Sequence, residues 1–349
     1  MAGSRAVTLG IAASQAPAMD PSRTPSPCFL VADIGGTNAR FALATPGTPA
    51  ALASGSVEVL PVADFPTPVA AALHYLERQH ARPRGAVLAI AGPTDGETAE
   101  LTNHRWSFSA DALRRALGTD AVRLTNDFAA IARALPDLGP DDVRLLGPAF
   151  RPVIPGADRT QAVLGPGTGL GVAAVTLRSG TPVVLETEGG HASFAPVDEE
   201  EVALLGHLAR RFGRVSWERL LSGPGLANID AALRAIAGVS GEPLPPEAVT
   251  ARAVAGEDPI AVRSVELFCA LLGAFAGDVA LLHGAWDGVF IAGGIAPRLA
   301  GQLATGRFRA RFEAKGRFAS RLATVPAAII VHPFPGLLGA AGYATTLAA

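Results

Sequence analysis

An aspartate just ahead of a glycine turn is the first group in this chain that could do chemistry. Asp33 stands before Ile34-Gly35-Gly36-Thr37-Asn38. The apolar runs on either side, Leu30 to Ile34 and Phe41 to Leu43, read as two strands joined by that turn. Glycines without a Cβ let a ligand approach the backbone, and Thr37 and Asn38 place a hydroxyl and an amide at the tip. A carboxylate there repels phosphate unless a metal ion stands between them, so the pair points to a Mg²⁺-nucleotide; an ordinary hairpin is the alternative. Other groups follow downstream. Asn126-Asp127 ends a strand before a helix, Glu188 and His191 lie three apart in a glycine-bearing loop, and Glu218 precedes Ser222-Gly223-Pro224-Gly225. A carboxylate can take a proton from a hydroxyl, and carboxylates, amides and imidazoles can together satisfy a ligand rich in hydroxyls. Each has a plainer reading. Asp127 would serve as a helix cap. Glu188 and His191 would form a metal pair, without a third ligand at ordinary spacing, or an exposed loop. Glu218 would be a surface neighbour of Arg219.

The elements that must position these groups fall into two similar halves. A second glycine hairpin spans Ala162 to Ala173, with Gly167-Thr168-Gly169 at its tip. A strand from Gly288 ends in Gly293-Gly294. In the first half, Ser54 to Val59 alternates as a third strand, and Pro66 to His80 has helical spacing. Gly85 to Pro93 reads as a buried strand, and Ser109 caps a helix over Ala110 to Leu117. Val122 to Phe128 is a strand, with a helix over Phe128 to Leu135. Asp137 to Phe150 is a polar, proline-flanked crossing and the candidate hinge. In the second half, Glu186 to His191 is an irregular loop. Asp198 opens a helix with acids at its start, as the helix dipole favours. Arg214 to Gly225 is a short helix into a tight turn. Helices over Ala227 to Ile236, Pro246 to Ala255 and Val262 to His283 follow, then a strand over Val325 to Val331. The closing helix, Leu337 to Leu347, returns to the first half. Two glycine hairpins, each opening its own half, resemble the actin-like sugar kinase fold, in which two related domains clamp a nucleotide. Gly293-Gly294 looks like the adenosine loop of that superfamily.

Composition agrees with two domains: 349 residues, of which 49% are apolar, suffice for two cores. A net charge of −2 with no basic run excludes a nucleic-acid binder. Cys28 and Cys269 are too few for a disulfide framework or a cysteine zinc site, which favours a reducing cytoplasm. Residues 1–27, rich in Ala, Ser and Pro, are expected to form a disordered tail. A signal peptide is the rival, since Arg5 precedes Ala6 to Ala13, but Gly10 interrupts that run. Met19 is an alternative start. Leu267 to Trp286 is long enough to span a bilayer, yet Asp278, His283 and three glycines within it favour a buried core helix, with no membrane partner.

Taken together, the segments resemble the bacterial glucokinase family. They are Asp33 to Arg40, Leu101 to His104, Thr125 to Phe128, Gly165 to Gly171, Glu188 to His191, Glu218 to Gly225 and Ala292 to Ile295, in family order. The resemblance implies an α/β fold of two actin-like, ribonuclease H-like domains (βββαβαβα plan) flanking a central cleft. It implies a small domain of 28–137 plus 328–349 and a large one of 138–327. The implied reaction moves the γ-phosphoryl group of ATP to the 6-hydroxyl of glucose. Asp127 is then the base, with Asn126, Glu188, His191, Glu218 and Asn103 on the sugar. Asp33, Gly35, Gly36, Thr37, Asn38, Gly167, Thr168, Gly169, Gly293 and Gly294 hold the nucleotide, and Asp33 stands near Mg²⁺. A homodimer is also implied. Residues 237–260 look like an insertion that touches none of these. Rival readings are a kinase for another hexose, or a sugar sensor on the same fold, although a short Ala/Ser/Pro tail leaves no room for a DNA-binding helix-turn-helix. A dehydrogenase lacks its Gly-x-Gly-x-x-Gly, and a Walker-type kinase its Gly-Lys-Ser/Thr.

Overall fold

Two antiparallel hairpins, each continued by parallel strands, build two sheets of the same plan. The computed structural model describes residues 26–47, 49–101, 106–150 and 156–348. The tail expected over 1–27 lies outside them, except that its last two residues already belong to the first strand. The first half runs β1 (Ser26–Ile34), β2 (Asn38–Thr45), β3 (Ala51–Leu52), β4 (Glu58–Pro61), α1 (Pro68–Arg78), β5 (Pro83–Ile90), β6 (Thr98–Glu100), β7 (Ser107–Ser109), α2 (Ala110–Leu117), β8 (Val122–Asn126) and α3 (Asp127–Ala134). The second runs β9 (Val143–Leu145), β10 (Arg159–Pro166), β11 (Leu170–Arg178), β12 (Thr181–Thr187), α4 (Glu199–Phe212), α5 (Gly223–Ile236), α6 (Pro246–Ala255), α7 (Pro259–His283), β13 (Val289–Ile291), α8 (Ala300–Thr305), α9 (Phe308–Glu313), α10 (Ala319–Leu322), β14 (Ala327–Ile330) and α11 (Pro335–Ala348).

Helix boundaries follow side-chain caps. Ser109 accepts from Ala112 N–H to start α2, and Thr67 does the same for α1 from Ala70 N–H. Asp198 caps α4, whose first turn holds Glu199, Glu200 and Glu201. Asp258 starts α7, three residues earlier than periodicity alone suggests. The Ser222-Gly223-Pro224-Gly225 stretch differs from expectation. It is no tight turn, because Ser222 Oγ accepts from Gly225 N–H and begins α5 there, with Pro224 in the first turn. Glu218 accordingly sits in a 3₁₀ turn, Trp217–Arg219, and not on a longer helix.

In the first sheet the order is β3-β2-β1-β5-β8, with β4 also paired to β2. The second runs β12-β11-β10-β13-β14-β9. In both, the hairpin strands are antiparallel and the next two strands add in parallel. The fold is therefore the expected doubled α/β plan of the actin-like class. Helix α7 runs through the second core, with Leu267, Phe268, Leu271 and Phe275 all buried.

The last helix of each half crosses to the other sheet. Helix α3 contributes Ala132, with Leu135 just after it, to a core with Val163, Ala173, Val175 and Phe290 of the second sheet. Helix α11 packs Leu337, Ala340, Ala341 and Ala344 against Phe29, Val31 and Val87 of the first. The divisions at 137 and 328 need correcting on this point: residues 328–330 pair within the second sheet as β14, and α3 covers the second sheet. The candidate hinge is tied at its start, where Asp137 accepts from Arg133 and from Ala50 N–H, while Arg133 also donates to the Gly342 carbonyl.

Helices α3 and α11 meet at Gly339, where an added methyl would be driven into the Ala130 carbonyl. Gly339→Ala should therefore destabilise the protein by about 1–3 kcal/mol through overpacking. A urea unfolding midpoint equal to the native one would show that the two helices separate freely.

Candidate active site

The carboxyl ends of β1, β5 and β8 lie side by side, since Asp33 is in register with Ala89 and Ala89 with Thr125. Ligands on open α/β sheets collect at such strand ends. Asp33 therefore stands beside the Asn126-Asp127 pair, although the two are far apart in sequence. Asn126 takes the capping role that the sequence left open for Asp127. Its Oδ1 accepts from Phe128 N–H (2.9 Å) and Ala129 N–H (3.1 Å), and its Nδ2 donates to the Gly92 carbonyl (3.3 Å). Asn126 thus fixes where α3 begins, and its half-buried amide keeps a second Nδ2 hydrogen for a ligand. Asp127 follows as the first helical residue, with one oxygen accepting from Phe128 N–H.

Burial decides the chemistry of Asp127. Loss of hydration pushes its carboxyl up to about 7, and the nearby negative charges of Asp33 and, less strongly, Glu188 add to the rise. Burial also raises Asp33, against the pull of Arg40, whose guanidinium is 3.6 Å away. A carboxylate that titrates near neutrality is suited to take a proton and give it up again.

Phe128, next to this acid, lies against the second hairpin. Gly165 and Gly171 are paired across it, and a Cβ on either would collide with the Phe128 ring. These glycines therefore seat an aromatic ring, whereas the sequence reads them with the phosphate turn. Gly169 is also occupied: a Cβ there would sit 2.5 Å from Glu218 Oε2. Gly167 alone among the tip glycines faces open space, and a methyl added there would meet nothing within 4 Å.

Glu218 reaches this hairpin directly. Its Oε2 accepts from Leu170 N–H at 3.0 Å, and Gly223 N–H donates to the Gly167 carbonyl at 2.8 Å. The Glu188 loop is fastened to the same place, with Trp217 N–H donating to the Ala192 carbonyl and Arg214 to the His191 carbonyl. Glu188 and His191 face outward as an exposed pair, 3.8 Å apart. Among the described residues no group of three or more His, Cys, Asp or Glu side chains could hold a metal ion. Asn103 lies outside the described residues.

At the first hairpin tip, Gly35 N–H donates to the Asn38 carbonyl (3.0 Å) and the Thr37 carbonyl accepts from Val62 N–H (2.9 Å). Gly36 and Thr37 are exposed. At the second, Gly167 and Thr168 open onto a cavity of about 550 Å³. Gly294 forms another wall, and Gly293 holds a left-handed φ of 84°, where a Cβ would meet the Pro166 carbonyl. Pro246, Glu247 and Thr250 of α6, with Arg298, complete it. The expectation that residues 237–260 touch no site residue is thus corrected. The helix over Pro246 to Ala255 was expected, but no motif marked it or Arg298 as part of a site.

A family model described as Glucokinase matches residues 30–347. The chain is 51% identical over 316 residues to a glucokinase of Stenotrophomonas maltophilia (strain K279a), covering 90% of this chain and 94% of that one. Among solved structures, a glucokinase from an Antarctic psychrotroph is 36% identical with a TM-score of 0.83, covering 91% of this chain and 98% of that one. A Balamuthia mandrillaris glucokinase solved with glucose shares the fold, at 24% identity and a TM-score of 0.72, over 91% and 93% of the two chains.

Burial of Asp127 has a consequence for stability. Its proton is held more tightly in the folded state than at the ordinary value of 3.8. Stability is therefore lost as pH rises from there to about 7, and the loss is complete above that. Asp127→Asn has no such ionisation. It should become more stable than the native chain by an amount that grows between pH 4 and 7 to on the order of 2–4 kcal/mol, then levels off. Unfolding midpoints that stay parallel across this range would overturn the assignment of a buried, proton-holding Asp127.

Proposed function

The chain belongs to the glucokinase family, and on that premise we propose how its cleft moves the γ-phosphoryl group of ATP to the 6-hydroxyl of glucose. The enzyme is an ATP:glucose phosphotransferase. The observation that carries the mechanism is Asp127, a largely desolvated acid with a proton affinity near neutrality at the head of α3. In the reading proposed here, Asp127 accepts the proton of the 6-hydroxyl as that oxygen bonds to phosphorus and the bond to the leaving ADP oxygen breaks. Glu188, His191 and Glu218 hold the remaining hydroxyls, and Asn103 joins them on the strength of the family resemblance. Asn126 sets the helix start and, through its second Nδ2 hydrogen, joins the sugar contacts on the same resemblance.

The adenosine end of the nucleotide suits the cavity beside Gly293 and Gly294, and its phosphates pass between Gly35 to Asn38 and Gly167 to Gly169. Mg²⁺ fits Asp33. This is a hard oxygen donor whose cation neighbour Arg40 stays beyond hydrogen-bond distance, and Mg²⁺ commonly takes one or two carboxylates together with phosphates. Bound there, the ion would neutralise charge on the phosphate oxygens. Exposure of Glu188 and His191 supports a cleft that closes over glucose, with the two sheets as the moving units, which would keep water from the γ-phosphate. The same reading places the enzyme in the cytoplasm as a homodimer.

ADP release measured with MgATP and a panel of hexoses should be fastest with glucose; faster turnover of fructose or N-acetylmannosamine would overturn the substrate assignment. Asp127→Asn should keep glucose binding and lose about 10²–10⁴ in kcat. The acid limb of kcat/KM should lie near pH 7 in the native enzyme. Glu188→Gln should mainly weaken glucose binding, by about 1.5–3 kcal/mol, as calorimetry would read directly. A near-native kcat for Asp127→Asn would remove the base from the mechanism.

A further inference from the structure

A second cavity, of about 520 Å³, lies at the opposite end of β10 from the Gly167 tip. Its walls come from two sources. Leu138 and Phe150 lie at the two ends of the crossing between the sheets, while Val143 of β9, Phe290, Trp286 and Pro326 belong to the second half. Phe150 and Phe290 stack at 5.1 Å, so the lining is aromatic and flat. Arg321 covers one face of Trp286 at 3.8 Å.

Three polar side chains interrupt this apolar lining: Asp287, one oxygen of which accepts from Thr160 N–H, and Gln161 and Arg159, which the described residues leave less well satisfied. Gln161 is 5% exposed, and its Oε1 accepts from no donor among them. Arg159 makes no ion pair with any described residue, and its buried Nε finds no acceptor there. Other half-buried or buried arginines of this half are paired: Arg234 with Asp230 and Asp258, Arg309 with Glu313, Arg311 with Glu201. Buried polar groups are nearly always bonded, and a guanidinium in particular matches a carboxylate. Here a guanidinium in no ion pair with the described residues and an acceptor without a donor share one aromatic cavity with Asp287, and its volume is that of a small-molecule site.

We propose that this cavity binds a small aromatic hydroxy acid. The carboxylate of the ligand pairs with Arg159, its ring lies along Phe150, Phe290 and Trp286, and its hydroxyl donates to Gln161. The site is separate from the cleft that holds Asp127. None of its residues belongs to the phosphoryl-transfer machinery, so the inference stands whether or not that mechanism does. Because the ligand would touch both the crossing and the second sheet, it would brace the link between the two halves.

Calorimetry of the full chain with 6-hydroxy-2-naphthoate tests this. The native protein should bind one molecule saturably. The neutral 6-hydroxy-2-naphthamide should bind at least about tenfold more weakly, since it cannot pair with the guanidinium. Arg159→Met should lose the same factor for the acid while phosphorylating glucose at the native rate, which shows that it is folded. Gln161→Leu should weaken the hydroxy acid but not 2-naphthoate, which lacks the hydroxyl. Equal affinity of acid and amide for the native protein would overturn the proposal without any variant. So would undiminished binding to Arg159→Met, or no binding up to millimolar concentration.

Discussion

The ring of Phe128, seated over Gly165 and Gly171, is the contact on which the active site depends. It belongs to α3, the helix that begins with Asp127, and it rests on the hairpin whose tip opens to the cavity beside Gly294. Asp127 and the second hairpin are therefore joined by a single aromatic residue filling the space two missing side chains leave. Asn126 completes the fastening from the other side, spending both ends of its amide on backbone groups. What results is an acid with little freedom and little water, and its proton affinity follows from that confinement and from the proximity of Asp33.

A second set of bonds ties the turn that holds Glu218 to the same hairpin. Glu218 bonds to Leu170 N–H, and the start of α5 bonds to Gly167. A ligand that competes for the Glu218 carboxylate must therefore disturb the backbone beside Gly167 and Thr168. Charge-assisted bonds of this kind are short and directional, so such a disturbance would be local and not spread through the core.

Much of this was legible in the residues. Glycine hairpins, Ser109 and Asp198 as caps, and the apolar run of α7 follow from local rules, because each uses a neighbour within one turn. The site residues themselves were legible only as polar groups at strand ends and loops. Other features were hidden for one reason: they depend on partners distant in sequence. Nothing near Asn126 says that its amide, and not the Asp127 carboxylate, will cap the helix. Gly165 and Gly171 mirror each other about the tip, a symmetry that hints at a shared function, but the ring they accommodate comes from another sheet's helix. Helix α6 was legible as a helix but not as a cavity wall, since Pro246, Glu247 and Thr250 gain meaning only beside Gly167. Likewise, α3 and α11 carry apolar faces that any sheet would accept, so their exchange was not written in periodicity.

That exchange has a bearing on the order in which the protein is made. The first sheet lacks its α11 cover until the ribosome has synthesised almost the whole described chain. Gly47, which exchanges hydrogen bonds with Thr345 across 298 positions, is an early residue awaiting a very late one. Phe29, Val31 and Val87 thus remain on an uncovered face throughout translation of the second half. Pairings of such long range are slow to form, and uncovered sheet faces are aggregation-exposed while they wait. The nascent first half is for that period a natural client for a holdase chaperone.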